Sequence, residues 1–513
     1  MAAAYGSGMS QGTTPLIDGG CVERPIRFVH RGRIAEVAGA DTTRTLLDWL
    51  REDARCSGTK EGCAEGDCGA CTVMVGELDA GALRWKTVNA CIQLLPMLDG
   101  KAIRTVEDLK QGDALHPAQQ AVVECHGSQC GFCTPGFVMS MVHVYERERA
   151  CGSTPSRQQL ADDLAGNLCR CTGYRPILDA GQRMFELPAV VHDNTGTARL
   201  LEQLASDPPL AYTDAQGARC YTPRTAASLA VLREAMPDAR LLAGCTDIGL
   251  WVNKQHKALP VLIATTAVAE LSRIETRADG TLAIGAGVTL EAAWGALARR
   301  HPELTEMWLR FASPPVRHAG TMGGNLANGS PIGDGPPVLM ALDATLLLQR
   351  GSRERRVRLD AFYLDYMKNA LEPGEFLRAV EVPPPSFTAL RAYKLSKRFD
   401  SDISSLACGL AITLDAQGVI TSARLAFGGM AAVVKRAALA EAEMLGQPWS
   451  EAAANAAAAA LSRDFAPITD LRASASYRQR VAANLLRRFW LETRRDAPLL
   501  PQQTSVFARE VSA

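Results

Sequence analysis

The sequence EGCAEGDCGAC, residues 61–71, decides how the first hundred residues of this chain fold. Its three cysteines, Cys63, Cys68 and Cys71, are followed by a fourth at Cys91. The pattern C-x4-C-x2-C with a distant fourth cysteine is typical of [2Fe–2S] cluster sites, in which four thiolates coordinate two irons. The spacing therefore predicts an iron–sulfur centre in a compact α+β unit.

The glycines of this loop support the prediction. Gly62, Gly66 and Gly69 permit unusual backbone angles, and they let backbone N–H groups point inward at the sulfurs. A structural zinc site is the alternative for four cysteines. Zinc sites favour paired C-x2-C hairpins, which this glycine-rich loop resembles poorly.

A second group of four cysteines lies downstream, at Cys130, Cys133, Cys169 and Cys171. Its pattern, C-x2-C, a long gap and C-x-C, leaves zinc open when it is taken alone. The iron–sulfur pattern immediately upstream favours a second redox centre. Two one-electron centres on one chain indicate a protein that transfers electrons.

Composition narrows the class of protein. The 513 residues include 55 basic and 55 acidic residues, which gives no basic excess to indicate nucleic-acid binding. The sequence contains no run of eighteen apolar residues, so no membrane span is predicted. Residues 1–20 lack the apolar core of a signal peptide. Fifteen cysteines without an export signal favour metal or redox use over disulfides, and we expect a cytoplasmic protein. The seven cysteines outside the two groups are interpreted as free thiols.

Local patterns predict several elements. Alternating apolar residues predict a β-hairpin over 24–37, and Thr134-Pro135 and Thr154-Pro155 predict two helix starts, the second helix ending at Gly166. The remaining elements are a helix near 46–50, a strand at 72–75, strands at 405–414 and 419–426, and helices from Ser450 and over 477–492.

Two later loops are rich in small residues, Leu241–Gly249 and Ala319–Leu326. A diphosphate needs several backbone N–H donors at close range, and small residues let the backbone approach. For each loop alone, a turn that binds no ligand is the better interpretation. No G-x-G-x-x-G motif and no P-loop motif are present, so any nucleotide is expected on another fold.

Longer strings carry a family resemblance. Residues 129–136 (QCGFCTPG) and 166–176 (GNLCRCTGYRP) resemble the helical [2Fe–2S] domain of the xanthine oxidase family of molybdenum hydroxylases, and residues 61–73 resemble its ferredoxin-like domain. The resemblance implies a multidomain α+β fold. Its parts are a β-grasp ferredoxin-like domain, a helical [2Fe–2S] domain, an FAD-binding domain of the vanillyl-alcohol oxidase type and a C-terminal α+β flavoprotein domain.

The resemblance and the composition shifts together place the domain boundaries. The expected units are 24–108 (ferredoxin-like), 109–190 (helical), 191–220 (linker), 221–388 (FAD-binding) and 389–500 (C-terminal flavoprotein domain).

The resemblance also implies cofactor contacts. The eight cysteines would hold two [2Fe–2S] clusters, and Gln129 would approach the pterin of a molybdenum cofactor. The residues expected to bind FAD are Leu241, Leu242, Ala243, Gly244, Cys245, Thr246, Asp247, Ile248, Phe311, Thr321, Met322, Gly323, Gly324, Asn325, Asp334, Leu377 and Lys394. The sequence departs from the family around 397–401, next to the expected nicotinamide side.

Within the family, the chain is similar to the small subunit of the bacterial xanthine dehydrogenases. This implies transfer of electrons from a molybdopterin-binding large subunit through both clusters to FAD and then NAD+, during oxidation of hypoxanthine and xanthine to urate. The implied assembly is a dimer of heterodimers. No catalytic residue is predicted here, because the partner would hydroxylate the substrate.

Two alternatives stay open. The first is the equivalent subunit of another molybdenum hydroxylase, acting on an aldehyde or an N-heterocycle. The second belongs to another class, a zinc-binding scaffold without redox activity.

Overall fold

The computed structural model of this chain describes residues 19–504, apart from the side chain of Gln502. Most of the N-terminal stretch 1–20 therefore lies outside the described residues. Among the described residues, no helix is both long and apolar enough to cross a membrane.

The first unit is a five-stranded mixed sheet with one helix against it. Its edge hairpin confirms the predicted one, and its strand order is β3-β2-β6-β4-β5. Helix α1 (Leu46–Glu52) begins after Thr45, whose hydroxyl accepts a hydrogen bond from the N–H of Asp48 while the Asp48 carboxylate caps Thr45. The strands are β2 (Ile26–His30), β3 (Arg33–Val37), β4 (Thr72–Asp79), β5 (Ala82–Asn89) and β6 (Ala102–Arg104); β1 (Val22–Glu23) belongs to a later sheet. This arrangement is the expected β-grasp unit.

The second unit is helical, as expected. Its helices are α2 (Pro117–Glu124), α3 (Thr134–Cys151), α4 (Arg157–Asp163) and α5 (Arg175–Arg183). Apolar side chains of all four form one core with Phe137, Met141 and Tyr145 of α3 at its centre.

The predicted starts of two of these helices were wrong by one and two residues. Cys133, not Thr134, is the N-cap of α3, and the Thr134 hydroxyl donates to Ser128 instead. Helix α4 begins after Ser156 rather than Thr154, because Ser156 and Gln159 form a reciprocal capping box. It ends at Asp163, three residues before Gly166.

The stretch expected as a linker, 191–220, is ordered. It contains α6 (Thr195–Ala205), β7 (Leu210–Thr213) and the start of β8 (Arg219–Thr222). Strand β1 pairs with β7 in parallel, Val22 opposite Leu210, at the edge of the sheet β1-β7-β8-β10-β9. Residues on both sides of the iron–sulfur units therefore share one sheet.

The third unit completes this sheet and adds a second one. The first sheet gains β9 (Arg240–Leu242) and β10 (Val261–Ala264), with α7 (Ala226–Ala235) and α8 (Ile248–Asn253) beside them. The second sheet has the order β11-β12-β17-β13-β14. Its strands are β11 (Ile274–Thr276), β12 (Leu282–Gly285), β13 (Thr345–Arg350), β14 (Arg353–Arg358) and β17 (Phe376–Val382).

Helices and one short hairpin surround the second sheet. Trp294, Phe362 and the apolar side chains of the sheet form a large buried core. The helices are α9 (Leu290–Arg300), α10 (Thr305–Arg310), α11 (Pro314–Ala319), α12 (Met322–Ala327) and α13 (Gly335–Ala341), and the hairpin is β15 (Tyr363–Asp365) with β16 (Lys368–Asn369).

The last unit is an antiparallel sheet of order β18-β19-β20-β21 covered by helices. Helix α15 begins after Ser450, whose hydroxyl accepts from the N–H of Ala453, as predicted. The elements are β18 (Ala389–Leu395), β19 (Leu406–Leu414), β20 (Ile420–Gly428), β21 (Lys435–Arg436), α14 (Ala438–Met444), α15 (Glu451–Asp464), α16 (Ala475–Thr493) and α17 (Pro501–Thr504). The multidomain α+β fold is the one expected.

Candidate functional site

The first four cysteines converge although 28 residues of chain separate Cys63 from Cys91. The Cys63 thiol hydrogen-bonds with those of Cys68 and Cys91, and Cys91 also contacts Cys71. Cys71 and Cys91 are buried, and the other two are half-buried. The loop thus gathers four soft donors in one place.

Hydrogen bonds in the first loop favour the thiolate form of Cys63, whereas hydrogen bonds to neighbouring thiols and burial raise the pKa of Cys68 and Cys91. Hydrogen bonds from Cys68 and Cys91, and from the backbone N–H groups of Cys68 and Glu65, hold the pKa of the Cys63 thiol well below its usual value. Gly62 leaves no room for a side chain, since an added Cβ would lie 2.8 Å from the Cys68 sulfur. Gly66 and Gly69 adopt positive φ angles of 79° and 69°, which let the loop close around the sulfurs.

The second four cysteines converge from two helix ends. The Cys130 and Cys171 sulfurs lie 3.6 Å apart, and Cys133 hydrogen-bonds with Cys169. Burial alone would raise the pKa of the Cys169 thiol, but hydrogen bonds from the Thr172 hydroxyl and the N–H groups of Thr172 and Cys171 lower it overall.

Tyr174 supports this second loop. Its hydroxyl accepts a hydrogen bond of 3.1 Å from the N–H of Cys169, and its backbone has the rare φ of 67°. No role was predicted for this residue. A tyrosine two residues before a helix-starting proline gives no signal of a left-handed backbone.

The grouping of sulfurs fits a [2Fe–2S] cluster in each site, because each iron of such a cluster takes two thiolates. In the second site the thiols lie as two pairs, Cys130 with Cys171 and Cys133 with Cys169. In the first site they form a chain of contacts from Cys68 through Cys63 and Cys91 to Cys71. Four thiols at each place suit a two-iron group, the first in the loop between α1 and β4 together with Cys91, and the second between α3 and α5.

The two cysteine loops touch each other. The N–H of Leu168 donates to the carbonyl of Cys68 at 2.9 Å, and the side chain of Asn167 donates to the carbonyl of Gly69 at 2.9 Å. An added Cβ at Gly69 would overlap the Gly166 carbonyl. The predicted ligands Cys68 and Cys169 are thus joined by backbone and one hydrogen bond.

The two sites differ in depth. Cys130 and Cys171 of the second site are exposed, whereas Cys71 and Cys91 of the first are buried. Gln129, adjacent to Cys130, is exposed as well. Two aromatic side chains border this surface, Phe132 (46% exposed) and Tyr174 (40% exposed).

The first site also touches the third unit. The side-chain amide of Asn253, at the end of α8, donates to the carbonyls of Cys91 at 2.7 Å and Ala64 at 3.0 Å. Gln93 donates from its side chain to the carbonyl of Gly244 at 3.3 Å. These bonds connect the first cysteine loop to the predicted flavin loop 241–248, which leads directly into α8.

The structure brings the two glycine-bearing loops together. An added Cβ at Gly244 would overlap the carbonyl oxygen of Ala319, and the Asp247 carboxyl hydrogen-bonds with Asn328. Cys245 has the left-handed φ of 62°, and burial raises the pKa of its thiol to about 12. The close approach explains why small residues are needed here.

The second loop ends in a polar group that lacks a partner. The Thr321 hydroxyl caps the short helix α12 by accepting from the N–H of Gly324. In the described part of the chain, the buried Oδ1 atom of Asn325 has no hydrogen-bond partner. An orphaned acceptor beside Gly323 and Gly324 fits a ligand that donates a hydrogen bond, such as a ribityl hydroxyl of FAD.

Two predicted flavin contacts form a buried ion pair. Lys394 Nζ donates to Asp334 Oδ2 at 2.6 Å, and the Ser404 hydroxyl donates to Asp334 Oδ1 at 2.5 Å. The other two are core residues in this structure. Phe311 packs 5.5 Å from the Trp294 ring, and Leu377 of β17 lies opposite Leu348. Their role in binding flavin stays a prediction.

Four family models match successive parts of the chain. They are a 2Fe-2S iron-sulfur cluster binding domain (residues 28–94), a [2Fe-2S] binding domain (105–182), the FAD binding domain in molybdopterin dehydrogenase (214–385) and the CO dehydrogenase flavoprotein C-terminal domain (391–493).

Curated relatives agree with these matches. Xanthine dehydrogenase of Drosophila subobscura is 33% identical over 487 residues, and that of Emericella nidulans is 31% identical over 529. The alignments cover 83% and 91% of this chain but only 35% and 38% of those proteins. Aldehyde oxidase 2 of Macaca fascicularis is 30% identical, covering 83% of this chain and 36% of that protein. The chain spans about a third of the length of these relatives.

A solved structure matches the fold as well. Carbon monoxide dehydrogenase from Hydrogenophaga pseudoflava, in a form that lacks the Mo-pyranopterin moiety of its molybdenum cofactor, superposes with a TM-score of 0.50 and 27% identity. The match covers 53% of this chain and 94% of that chain. With two [2Fe–2S]-binding domains followed by an FAD-binding domain and its flavoprotein C-terminal domain, the chain belongs to the xanthine oxidase family of molybdenum hydroxylases.

Proposed function

We propose that this chain is the electron-transfer part of a xanthine dehydrogenase. In this proposal the eight cysteines hold two [2Fe–2S] clusters, and loops 241–248 and 321–325 hold FAD. Electrons enter at Cys130 and Cys171, pass to the site of Cys63, and leave through the flavin to NAD+. The cofactors supply the redox chemistry, while the chain's residues place, bury and tune them.

One series of contacts carries the proposal. It begins at the exposed ligands Cys130 and Cys171, crosses from Leu168 to Cys68, and continues from Cys91 through Asn253 to α8. Each step joins a predicted ligand to the next site by backbone and a single hydrogen bond. An uninterrupted order of this kind, from surface to interior, is what one-electron relay requires.

A molybdopterin-binding partner is the proposed electron source. The surface around Cys130 supports this, because it places thiols, the exposed Gln129 amide and the aromatic rings of Phe132 and Tyr174 together at the surface. Aromatic residues are enriched at protein interfaces. The assembly that we propose is a dimer of two such pairs.

The proposed acceptor side is a cavity of about 190 Å³ beside the predicted flavin contact Lys394, whose lining includes Glu306, Arg310, Phe399 and Arg488. Each of its three cationic side chains is already paired with a carboxylate, so among the described residues the cavity carries no free positive charge towards an acceptor. NAD+ is proposed from the similarity to the xanthine dehydrogenases. Aldehydes and N-heterocycles stay alternative substrates of the partner, and the 30% identity to an aldehyde oxidase favours the first of these.

The test is purification of the native protein from its own host under anaerobic conditions. We expect a red-brown preparation with iron, FAD, molybdenum and a co-purifying molybdopterin protein. Xanthine should then reduce NAD+, and should outperform aldehydes and N-heterocycles in a substrate panel. A colourless preparation that contains zinc would favour the scaffold alternative, and a preference for aldehydes would replace xanthine as the substrate.

A further inference from the structure

The side chain of Asn167 occupies the contact between the two cysteine loops. It is 3% exposed and belongs to neither set of predicted ligands. Its Nδ2 atom donates to Gly69 O at 2.9 Å and to Thr72 Oγ1 at 3.2 Å, and its Oδ1 atom accepts from Ser140 Oγ at 2.6 Å. The amide orientation follows from chemistry, because a carbonyl such as Gly69 O accepts only.

These bonds connect three segments that hold predicted ligands. Gly69 and Thr72 flank Cys71 of the first site, and Ser140 lies on α3, which begins at Cys133 of the second. Asn167 itself lies two residues before Cys169. A single buried side chain thus fixes the first loop against both halves of the second.

The carbonyl of Gly69 is the centre of this contact. Besides Asn167 Nδ2, it accepts from the Thr72 hydroxyl at 2.7 Å and from the Thr72 N–H at 3.1 Å. An added Cβ at Gly136 of α3 would overlap this same oxygen. The carbonyl therefore has no freedom to shift unless Asn167, Thr72 and α3 shift too.

The adjacent backbone bond depends on this arrangement. Leu168 follows Asn167 and Cys68 precedes Gly69, so the bond from Leu168 N–H to Cys68 O lies one residue later in the second loop and one residue earlier in the first. If the side chain of Asn167 sets the register of the loops, it also sets the separation of Cys169 from Cys68.

We propose that Asn167 is a positioning residue for electron transfer between the two clusters. The inference rests on the proposed function. The step moves one electron: an iron of the second site goes from Fe(II) to Fe(III) and an iron of the first goes from Fe(III) to Fe(II), with no bond made or broken. Asn167 touches neither cluster and acts only through the distance between the loops.

The test is electron paramagnetic resonance of the holoprotein reduced with dithionite. Two reduced clusters at short range split each other's signals, and the splitting falls steeply with their separation. In Asn167→Leu, which keeps the branched shape and the number of heavy atoms and removes all three hydrogen bonds, we expect unchanged iron content, both cluster signals, and a smaller splitting. Transfer from the second site to the first should slow in the same variant.

Asn369→Leu is the matched control, since the side chain of Asn369 also donates to a main-chain carbonyl, that of Ala327 at 2.8 Å, but outside both cysteine loops. It should retain the wild-type splitting. An unchanged splitting in Asn167→Leu with full iron content would overturn the proposal.

A second variant covers the case in which Asn167→Leu loses a cluster. Asn167→Asp keeps the size of the side chain and the oxygen that accepts from Ser140, and it removes the Nδ2 donor to Gly69 O and Thr72 Oγ1. A smaller splitting in Asn167→Asp would support the proposal, and a wild-type splitting would overturn it. If the wild-type protein gave no pair of cluster signals, the proposed function itself would fail, which is a separate result.

Discussion

The backbone N–H of Leu168 donates to the carbonyl oxygen of Cys68 at 2.9 Å, which links a residue beside one predicted iron ligand directly to another ligand. The bond crosses between two domains that match different family models. Since it uses only main-chain atoms, its presence depends on how the loops are held rather than on the identity of the Leu168 side chain.

Removing this donor is expected to interrupt electron transfer between the sites. Leu168→Pro lacks the N–H group and leaves the Cys68 carbonyl without it, at a cost of about 1–3 kcal/mol in the free energy of unfolding. Leu168→Ala keeps the N–H and is the control. Rapid-mixing measurements of flavin reduction should show a slow Pro variant and an Ala variant close to wild type. Equal rates in both would contradict a role for the bond.

The cysteine assignments predict a specific loss of iron. Cys71→Ser should remove one cluster, about 2 of about 4 irons per chain, and leave the signal of the second cluster. Cys151→Ser is the matched control, because Cys151 is an exposed thiol at the end of α3 outside both sites. Iron analysis and visible absorption measure both variants. Full iron in Cys71→Ser would show that the first site is assigned wrongly.

The buried Asp334–Lys394 ion pair predicts that removal of the lysine charge strongly lowers the stability of the protein. Lys394→Met leaves the Asp334 carboxylate buried without its cation, which costs about 3–5 kcal/mol in the free energy of unfolding. Flavin content should fall in the same variant. Ser404→Ala removes only a hydrogen bond to Asp334 and should cost about 1–3 kcal/mol. Denaturant unfolding checks both values, and equal stabilities of the two variants would contradict the expectation.

A histidine pair at the domain junction predicts sensitivity to acid. The rings of His143 on α3 and His318 on α11 lie 5.1 Å apart, and His318 also contacts Thr87 of β5. Burial, then the charge of Arg147, lowers the pKa of His143 to about 4 against the partly opposing charge of Asp163. Burial, then His143, Arg317 and Lys86, lowers the pKa of His318 well below 6.5.

The sign of the effect follows from these directions. Both rings are neutral in the folded protein and take up protons more readily when unfolded, so their contribution is complete above pH ~6.5 and is lost as the pH falls from there towards 4. Between pH 7 and pH 5, the free energy of unfolding of His143→Phe should therefore fall by about 2 kcal/mol less than that of the wild type. The control His256→Gln, on the surface, should follow the wild-type curve. Parallel curves for wild type and His143→Phe would refute this account.

Much of the local structure was predictable from short-range patterns. The hairpin of β2 and β3, the capped start of α15 at Ser450 and the grouping of the eight cysteines all follow from residues close in sequence or from a known ligand spacing. The error at Thr154 arose because two capping residues compete within three positions, and the error at Thr134 arose because its hydroxyl bonds to Ser128 while the helix begins after Cys133 without a side-chain cap. Ser156 prevailed because Gln159 completes its capping box.

The contacts between units were not predictable in this way. Asn167 bonds to a carbonyl 98 residues away, and Asn253 to one 162 residues away. Nothing in the local sequence marks either asparagine, because a side-chain amide serves equally well in a turn or on a surface. The strings that resemble the family contain Asn167, but the resemblance assigned roles only to its cysteines and to Gln129.

Strand β1 has a consequence for how the protein is made. Val22 and Glu23 leave the ribosome long before Leu210 and Ala211, their partners in the sheet. The sheet that contains β1 can therefore form only after β7 and β8 have been synthesised, and both of these strands follow the two iron-binding units in the chain. A flavoprotein fragment begun near residue 214 would lack both β1 and β7 and would expose the main-chain groups of β8, so the two halves of this chain are better studied uncut.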